Sequence, residues 1–343
     1  MTESTLPETS GGATAADTVE LRRSGPLRWV FPVWVAGFLA FWLWALLTGP
    51  GLGLFESHWP FSVMMIFGSM IAGFTPEGGG AVAYPILNLY FSITPDVARD
   101  FSLAIQSVGM VSAAIYILTR KARPWRRYRH IPVYALFNML GFVFMSAIFH
   151  LIPFKVMQML FVSLAVAFIA AYMLTRGSGT ETEFSIERSS KFMILSAWCF
   201  AGGCAAALFG TGSDMLIYIA LTCYYRIREK ESTDISIILM ATMSIFGIAY
   251  RGLVMGDISP EVFDMWLVAA PVVVLFGPLG NKLLQYVSKE KMLWLVVMMN
   301  SFNFLYFGWM NPAYMVAGII LMTSLLTLFI ATFHLNRPGA RPL

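Results

Sequence analysis

The sequence predicts an all-α polytopic membrane protein of two inverted repeats, each a re-entrant or broken helical hairpin followed by three transmembrane helices, with one extra transmembrane helix at each end. Three observations predict it. First, 58% of the 343 residues are hydrophobic and only 12% are charged, and the mean hydropathy of +0.70 is far above that of a soluble globular domain. Second, two apolar stretches are interrupted by glycine-containing polar runs. Backbone without helical hydrogen bonds is tolerated at membrane depth only where protein covers it or where it lines a polar cavity. Third, Lys and Arg collect in alternate connections, the pattern of a chain crossing a membrane with a fixed orientation.

Composition also narrows the function. Cys199, Cys204 and Cys223 all fall in apolar or membrane-edge sequence, which suggests neither a disulfide framework nor a zinc site. His58, His130, His150 and His334 lie far apart near the ends of spans and read as interfacial. No motif pairs a nucleophile with a base and no cluster has metal-ligand spacing, so neither an enzyme nor a metal or other cofactor is expected. The net charge of +4 belongs to orienting loops and points to no nucleic-acid partner.

Taken in order, residues 1–28 are rich in Thr, Ser, Gly, Ala and Glu and read as a disordered cytoplasmic tail. Residues 29–60 hold a retained first span at 29–47 and an outer loop; the basic residues Arg22, Arg23 and Arg28 before so long an apolar segment are not the plan of a cleaved leader. The first repeat occupies 61–176. It opens with two short apolar pieces, 61–74 and 80–91, joined by Thr75-Pro76-Glu77-Gly78-Gly79-Gly80. Each is shorter than the roughly 20 residues of a full crossing, so together they predict a hairpin that enters and leaves on one side. Crossings follow at 98–118, 131–150 and 154–176. A linker at 177–191 leads to the second repeat at 192–308. Its hairpin, 192–208 and 213–225, breaks at Phe209-Gly210-Thr211-Gly212-Ser213-Asp214. Crossings at 234–254, 261–280 and 292–308 complete it. Residues 309–343 supply the last helix, at 314–334, and a cytoplasmic tail.

If both breaks are hairpins, the cluster Arg120, Lys121, Arg123, Arg126, Arg127 and Arg129 falls on one face with Arg226, Arg228, Lys230, Lys282, Lys289, Lys291, Arg337 and Arg341. Loops 48–60, 92–97, 255–260 and 309–313 contain no Lys or Arg. Both termini are therefore expected in the cytoplasm. Val97-Ala98-Arg99-Asp100-Phe101-Ser102 aligns with Glu231-Ser232-Thr233-Asp234-Ile235-Ser236, and Gly141 and Lys155 align with Gly277 and Lys291. A unit with an odd number of crossings returns inverted, so the first hairpin enters from outside and the second from the cytoplasm, with their tips near the middle.

Glu77-Gly78-Gly79-Gly80 followed by Pro85, with Thr94-Pro95-Asp96-Val97-Ala98 downstream and a weaker glycine motif in the second half, resembles the sulfite exporter TauE/SafE family, also called the toluene sulfonate uptake permease family. The resemblance covers roughly residues 61–308. It implies a secondary carrier of sulfite or a small organosulfonate such as sulfoacetate, in a bacterial cytoplasmic membrane. The second half departs from the family pattern: Gly210-Thr211-Gly212 replaces a triple glycine, and Ile217 stands where Pro85 would align.

The tips suit a small oxyanion. Gly78, Gly79, Gly80, Gly210 and Gly212 allow unusual backbone angles and close approach, so that successive N–H groups can converge on sulfonate oxygens. Thr75, Thr211 and Ser213 add hydroxyls. Glu77 and Asp214 would repel an anion if charged. Either they carry a coupling proton and are neutral when substrate is bound, or each caps a helix N-terminus, at 80 or 213. Gln106 is a candidate for the cavity wall, as are Asn138, Asn300 and Asn303, although interhelical bonding is the commoner use of such groups. Arg99 and Arg251, at the outer edge, attract or bind the anion, or snorkel, or, for Arg99 alone, pair with the adjacent Asp100. Trp29, Trp59, Trp266 and Trp309 read as interfacial belt residues. The expected partners are a small sulfur-containing anion, protons and the lipid bilayer, with a homo-oligomer possible; an anion channel, or an uptake carrier for another small organic anion, is the alternative.

Overall fold

The computed structural model describes residues 29–72, 77–120, 128–175, 189–283 and 289–335. The expected tail at 1–28, Thr75, the basic residues at 121–127, most of the linker and the last residues of the chain lie outside the described residues. The regular elements are helices: α1 Val30–Thr48, α2 Leu54–Ala72, α3 Gly79–Leu89, α4 Pro95–Arg120, α5 Ile131–Ile148, α6 Phe154–Thr175, α7 Ser189–Phe209, α8 Ser213–Ile219, α9 Glu229–Ala249, α10 Pro260–Leu283, α11 Lys289–Met310 and α12 Pro312–Leu335. α8 and α9 each run on into a π-helical turn, at Ala220–Tyr224 and Tyr250–Met255.

Eight helices among the described residues are long and apolar enough to cross a bilayer. Their outer surface is apolar too. On α11, Trp294, Met298, Phe302, Leu305 and Trp309 recur every three or four residues and are all more than half exposed, and Val316 and Ile320 of α12 are likewise exposed. A stripe of this kind along a helix of spanning length faces hydrocarbon. The chain is an integral membrane protein.

The two interrupted stretches fold back on themselves. A Cβ on Gly68 of α2 would lie 3.4 Å from the Gly79 carbonyl oxygen, where α3 begins, and the ring of Phe61, in the first half of α2, stands 5.5 Å from that of Phe91, just past the end of α3. The second stretch repeats this plan. A Cβ on Gly202 of α7 would lie 3.0 Å from Ser213 Oγ, while Tyr225 donates its hydroxyl to the Lys191 carbonyl at the base.

The first arms are longer than the sequence suggested. α2 starts at Leu54 and passes through Pro60 without ending, giving 19 residues, and α7 has 21. A proline within a helix removes one backbone bond and need not terminate it when packing holds the flanks.

α6 shows how the hairpins lie relative to each other. It spans 22 residues, about 33 Å at 1.5 Å per residue. From its N-terminal end, Gln158 donates to the Asn88 carbonyl and Phe161 packs on Tyr84, so it first follows the first hairpin from base towards tip. Phe161 also meets Phe209. Further on, Phe168 and Tyr172 pack on Tyr218, and Thr175 receives the Cys223 thiol at 3.8 Å, so it then follows the second hairpin from tip towards base. α6 thus follows the two hairpins in opposite senses. Their tips overlap: along α4, Gly210 sits against Arg99 and Ser102, whereas Gly78 sits against Gln106 and Met110, deeper from the first hairpin's base.

Backbone geometry recurs at a constant interval. Helices begin after the breaks at Gly79 and Ser213, the two non-glycine residues with positive φ among the described residues are Ser92 and Arg226, and the following helices begin at Pro95 and Glu229. Each second member lies 134 residues after the first. This register sets Gly78 against Gly212, Gly80 against Asp214 and Pro85 against Ile219, two residues from the glycine-to-glycine alignment made on sequence alone. Packing is reciprocal as well: α5 lies along α7 and α10 along α2, while α4 meets α9 and α6 meets α11. The α5/α7 crossing is backbone on backbone, because a Cβ on Gly203 would strike the Asn138 carbonyl and one on Gly141 that of Phe200.

Candidate functional site

The overlapping tips bring together most of the residues singled out from sequence. Gly78 donates its N–H to Asp214 Oδ2 at 2.9 Å, a bond from one hairpin to the other. Asp214 Oδ1 accepts from Met215 N at 3.0 Å. Glu77 accepts from Asn300 Nδ2, at 3.1 Å to Oε1 and 3.4 Å to Oε2. Gln106 Nε2 donates to the Gly210 carbonyl at 3.0 Å, and Asn138 exchanges two bonds with Ser213 Oγ, at 2.9 and 3.1 Å. Glu77, Thr211, Ser213 and Asp214 have no solvent exposure.

Local sequence explains the shape of each tip. Gly210 at φ +72 and Gly212 at φ +94 are left-handed, where a side chain is strained. Gly78 is different, with φ −68 and ψ 162, and neither Gly79 nor Gly80 is among the residues with positive φ. Glycine serves close approach in the first tip, since a Cβ at Gly78 would come within 2.6 Å of both Gln106 Oε1 and Met110 Cε. The expectation of unusual backbone angles thus holds for the second tip only.

The capping roles are also revised. α3 has no side-chain cap at Gly78 and α8 none at Gly212. Glu77 turns instead to α11, whereas Asp214 takes the Met215 N–H in the first turn of its own helix and also reaches across to the other hairpin. Thr211 Oγ1, Gln106 Oε1 and Ser102 Oγ are buried without a hydrogen-bond partner among the described residues. Buried polar atoms left in this condition are uncommon and call for an explanation.

Arg99 and Arg251 are not at the tips. Asp100 Oδ1 accepts from Arg99 Nε at 2.8 Å and from Arg251 Nε at 3.1 Å, and Oδ2 accepts from Arg251 Nη2 at 3.1 Å. Arg251 also pairs with Asp257 at 2.9 Å, and the Arg99 guanidinium lies 4.1 Å from the Phe149 ring centroid. Both arginines are buried, and through Asp100, the partner expected for Arg99, they tie the start of α4 to the end of α9. Asn303 bonds Tyr90 near the base of the first hairpin. Trp266, expected in the belt, instead donates to the Ala104 carbonyl at 3.2 Å.

Sequence reasoning passed over Ser102 and rated Asn138 and Asn300 as secondary. Ser102 had a usable signal. Arg99, Ser102 and Gln106 are spaced three and four residues apart, which puts them on one face of a helix, and that face lies against Gly210.

Two polar hairpin tips crossing inside an apolar helical bundle define a membrane transport protein, in which unwound backbone at depth lines the route of a solute. The family model for the sulfite exporter TauE/SafE matches residues 61–307. The chain belongs to that family. No curated protein and no solved structure matches it.

Proposed function

We propose that this protein is a secondary transporter that moves sulfite or a small, sulfoacetate-like organosulfonate across the cytoplasmic membrane, coupled to protons. One observation carries the reading: two hairpin tips from opposite ends meet at a buried cluster of backbone N–H groups, hydroxyls and amides that includes two carboxylates and no basic side chain among its described bonds. Neutral donors held in a dry site bind an oxyanion without a countercharge and release it again. Membership in the family supports the sulfur oxyanion as solute.

The transport unit is read as an inverted repeat, 61–176 and 192–308. Reciprocal packing and recurrence of backbone geometry at one interval support it. Alternating access is then a rocking of one repeat against the other around the tips. Of the two buried carboxylates, Glu77 is the better proton carrier, because Asp214 is held by two backbone N–H groups whereas Glu77 has a single neutral amide donor among its described bonds. Loop charges put both termini in the cytoplasm and the base of the first hairpin outside.

Proteoliposomes loaded at one pH and diluted into another decide the main claim. Radiolabelled sulfite or sulfoacetate is expected to accumulate with saturation and with dependence on the pH gradient. Flux that neither saturates nor responds to the gradient indicates a channel. Orientation is checked on cysteines introduced at Ser92 and Arg228 in cells: an impermeant reagent is expected to label the first and not the second, and equal labelling defeats the inverted arrangement.

A further inference from the structure

We propose that the Asp214 carboxylate is a built-in stand-in for the transported anion. It takes the Gly78 N–H, ties the two tips together, and is displaced when substrate binds. The inference rests on the transport reading and concerns the regulation of the same site.

The geometry is that of an anion held by backbone. Gly78 immediately precedes α3, at a helix start whose N–H groups have no partner within the helix and favour negative charge, and the helix has no side-chain cap of its own. The group that does arrive is a carboxylate from the other hairpin, 136 residues away in sequence, with no solvent exposure. Among the described residues it forms no ion pair, so its negative oxygens are held by backbone donors alone, the donors a sulfonate or sulfite oxygen would use. Carboxylate and sulfur oxyanion present the same chemistry to an N–H group, and both cannot occupy it at once.

Two further features fit displacement rather than permanent structure. Gln106 Oε1, close against Gly78, and Thr211 Oγ1, in the second tip, are buried without partners among the described residues, as expected of a site closed on itself. The stand-in is also present on one tip only, because the position that corresponds to Asp214 in the first repeat is Gly80, which packs on Gln106. The first hairpin is therefore held by the second and not the reverse. Substrate that displaces Asp214 removes a direct bond between the repeats, which links binding to their separation.

The test uses the full-length protein in detergent and radiolabelled sulfite by equilibrium dialysis, with amide hydrogen exchange measured without any anion. Asp214→Asn keeps the shape and removes the charge. It is expected to bind sulfite about tenfold more tightly than wild type and to speed exchange several-fold at 78–82 and 210–215. Asp214→Ala is expected to do both more strongly, and it decides the matter if the Asn variant is poorly folded. Weaker or unchanged sulfite binding in both variants overturns the stand-in, and unchanged exchange overturns the tie between tips. Absence of sulfite binding in wild type as well overturns the substrate assignment along with the stand-in; failure of the stand-in alone leaves wild-type binding intact.

Discussion

Gly203→Val is expected to leave little folded protein in the membrane. α5 and α7 cross with their backbones in contact, and a Cβ at Gly203 would drive into the Asn138 carbonyl oxygen and come within 2.8 Å of Phe142 N. Neither obstacle is the end of a flexible side chain, so relief requires the helices to separate. Separation would also pull Asn138 from Ser213 and open the second tip. Overpacking in a close-packed interior costs about 1–3 kcal/mol, occasionally more, and a backbone-to-backbone collision belongs at the upper end. Gly37→Val is the matched control, since nothing lies within 4 Å of a Cβ there. Thermal midpoints in detergent should fall by many degrees for Gly203→Val and stay near wild type for Gly37→Val. Equal midpoints for the two variants would remove the close crossing from the account.

What the sequence revealed follows from what is local. Spans were readable because length and apolarity are properties of a short window, and the breaks were readable because glycine and proline act on their own backbone. The extent of the hairpin arms was not. The first arm was expected to begin at 61, yet α2 starts at Leu54 and runs through Pro60, because neighbouring helices supply the packing that a single proline lacks. The register at the tips was missed by two residues, since aligning glycine with glycine assumes equal roles, although the alignment of 97–102 with 231–236 already kept the interval seen in the structure. Glycine in one tip provides positive φ and in the other provides room.

Long-range pairing lay furthest from reach. Arg251 finds Asp100 across 151 residues and Asn300 finds Glu77 across 223. No periodicity encodes such meetings. A buried arginine beside an aspartate in sequence reads equally well as a snorkelling side chain or an anion site until the third partner is located. The same holds for Asp214: its adjacent helix suggested a local cap, and Oδ1 does take the Met215 N–H there, but nothing local announced that Oδ2 takes an N–H of the opposite hairpin.

Glu77→Gln is expected to abolish accumulation driven by a pH gradient while exchange between compartments of equal pH survives. The substitution keeps size and removes titration. Glu77 has no solvent exposure and accepts from Asn300 through both oxygens, and a glutamine at the same place retains one acceptor for that amide. Because α3 has no side-chain cap to lose, thermal stability should remain near wild type; a loss on the order of 1 kcal/mol would restore the capping role. A charged carboxylate in a dry site is costly unless paired, so the neutral acid is the form that coexists with a bound anion. If the resting site instead keeps Glu77 ionised, Glu77→Gln should tighten anion binding at neutral pH, since the repulsion is gone. Accumulation, exchange and thermal midpoint on this one variant separate the three outcomes. Normal gradient-driven accumulation by Glu77→Gln would take the residue out of the coupling mechanism and leave Asp214, held between two backbone N–H groups, as the remaining buried carboxylate at the tips.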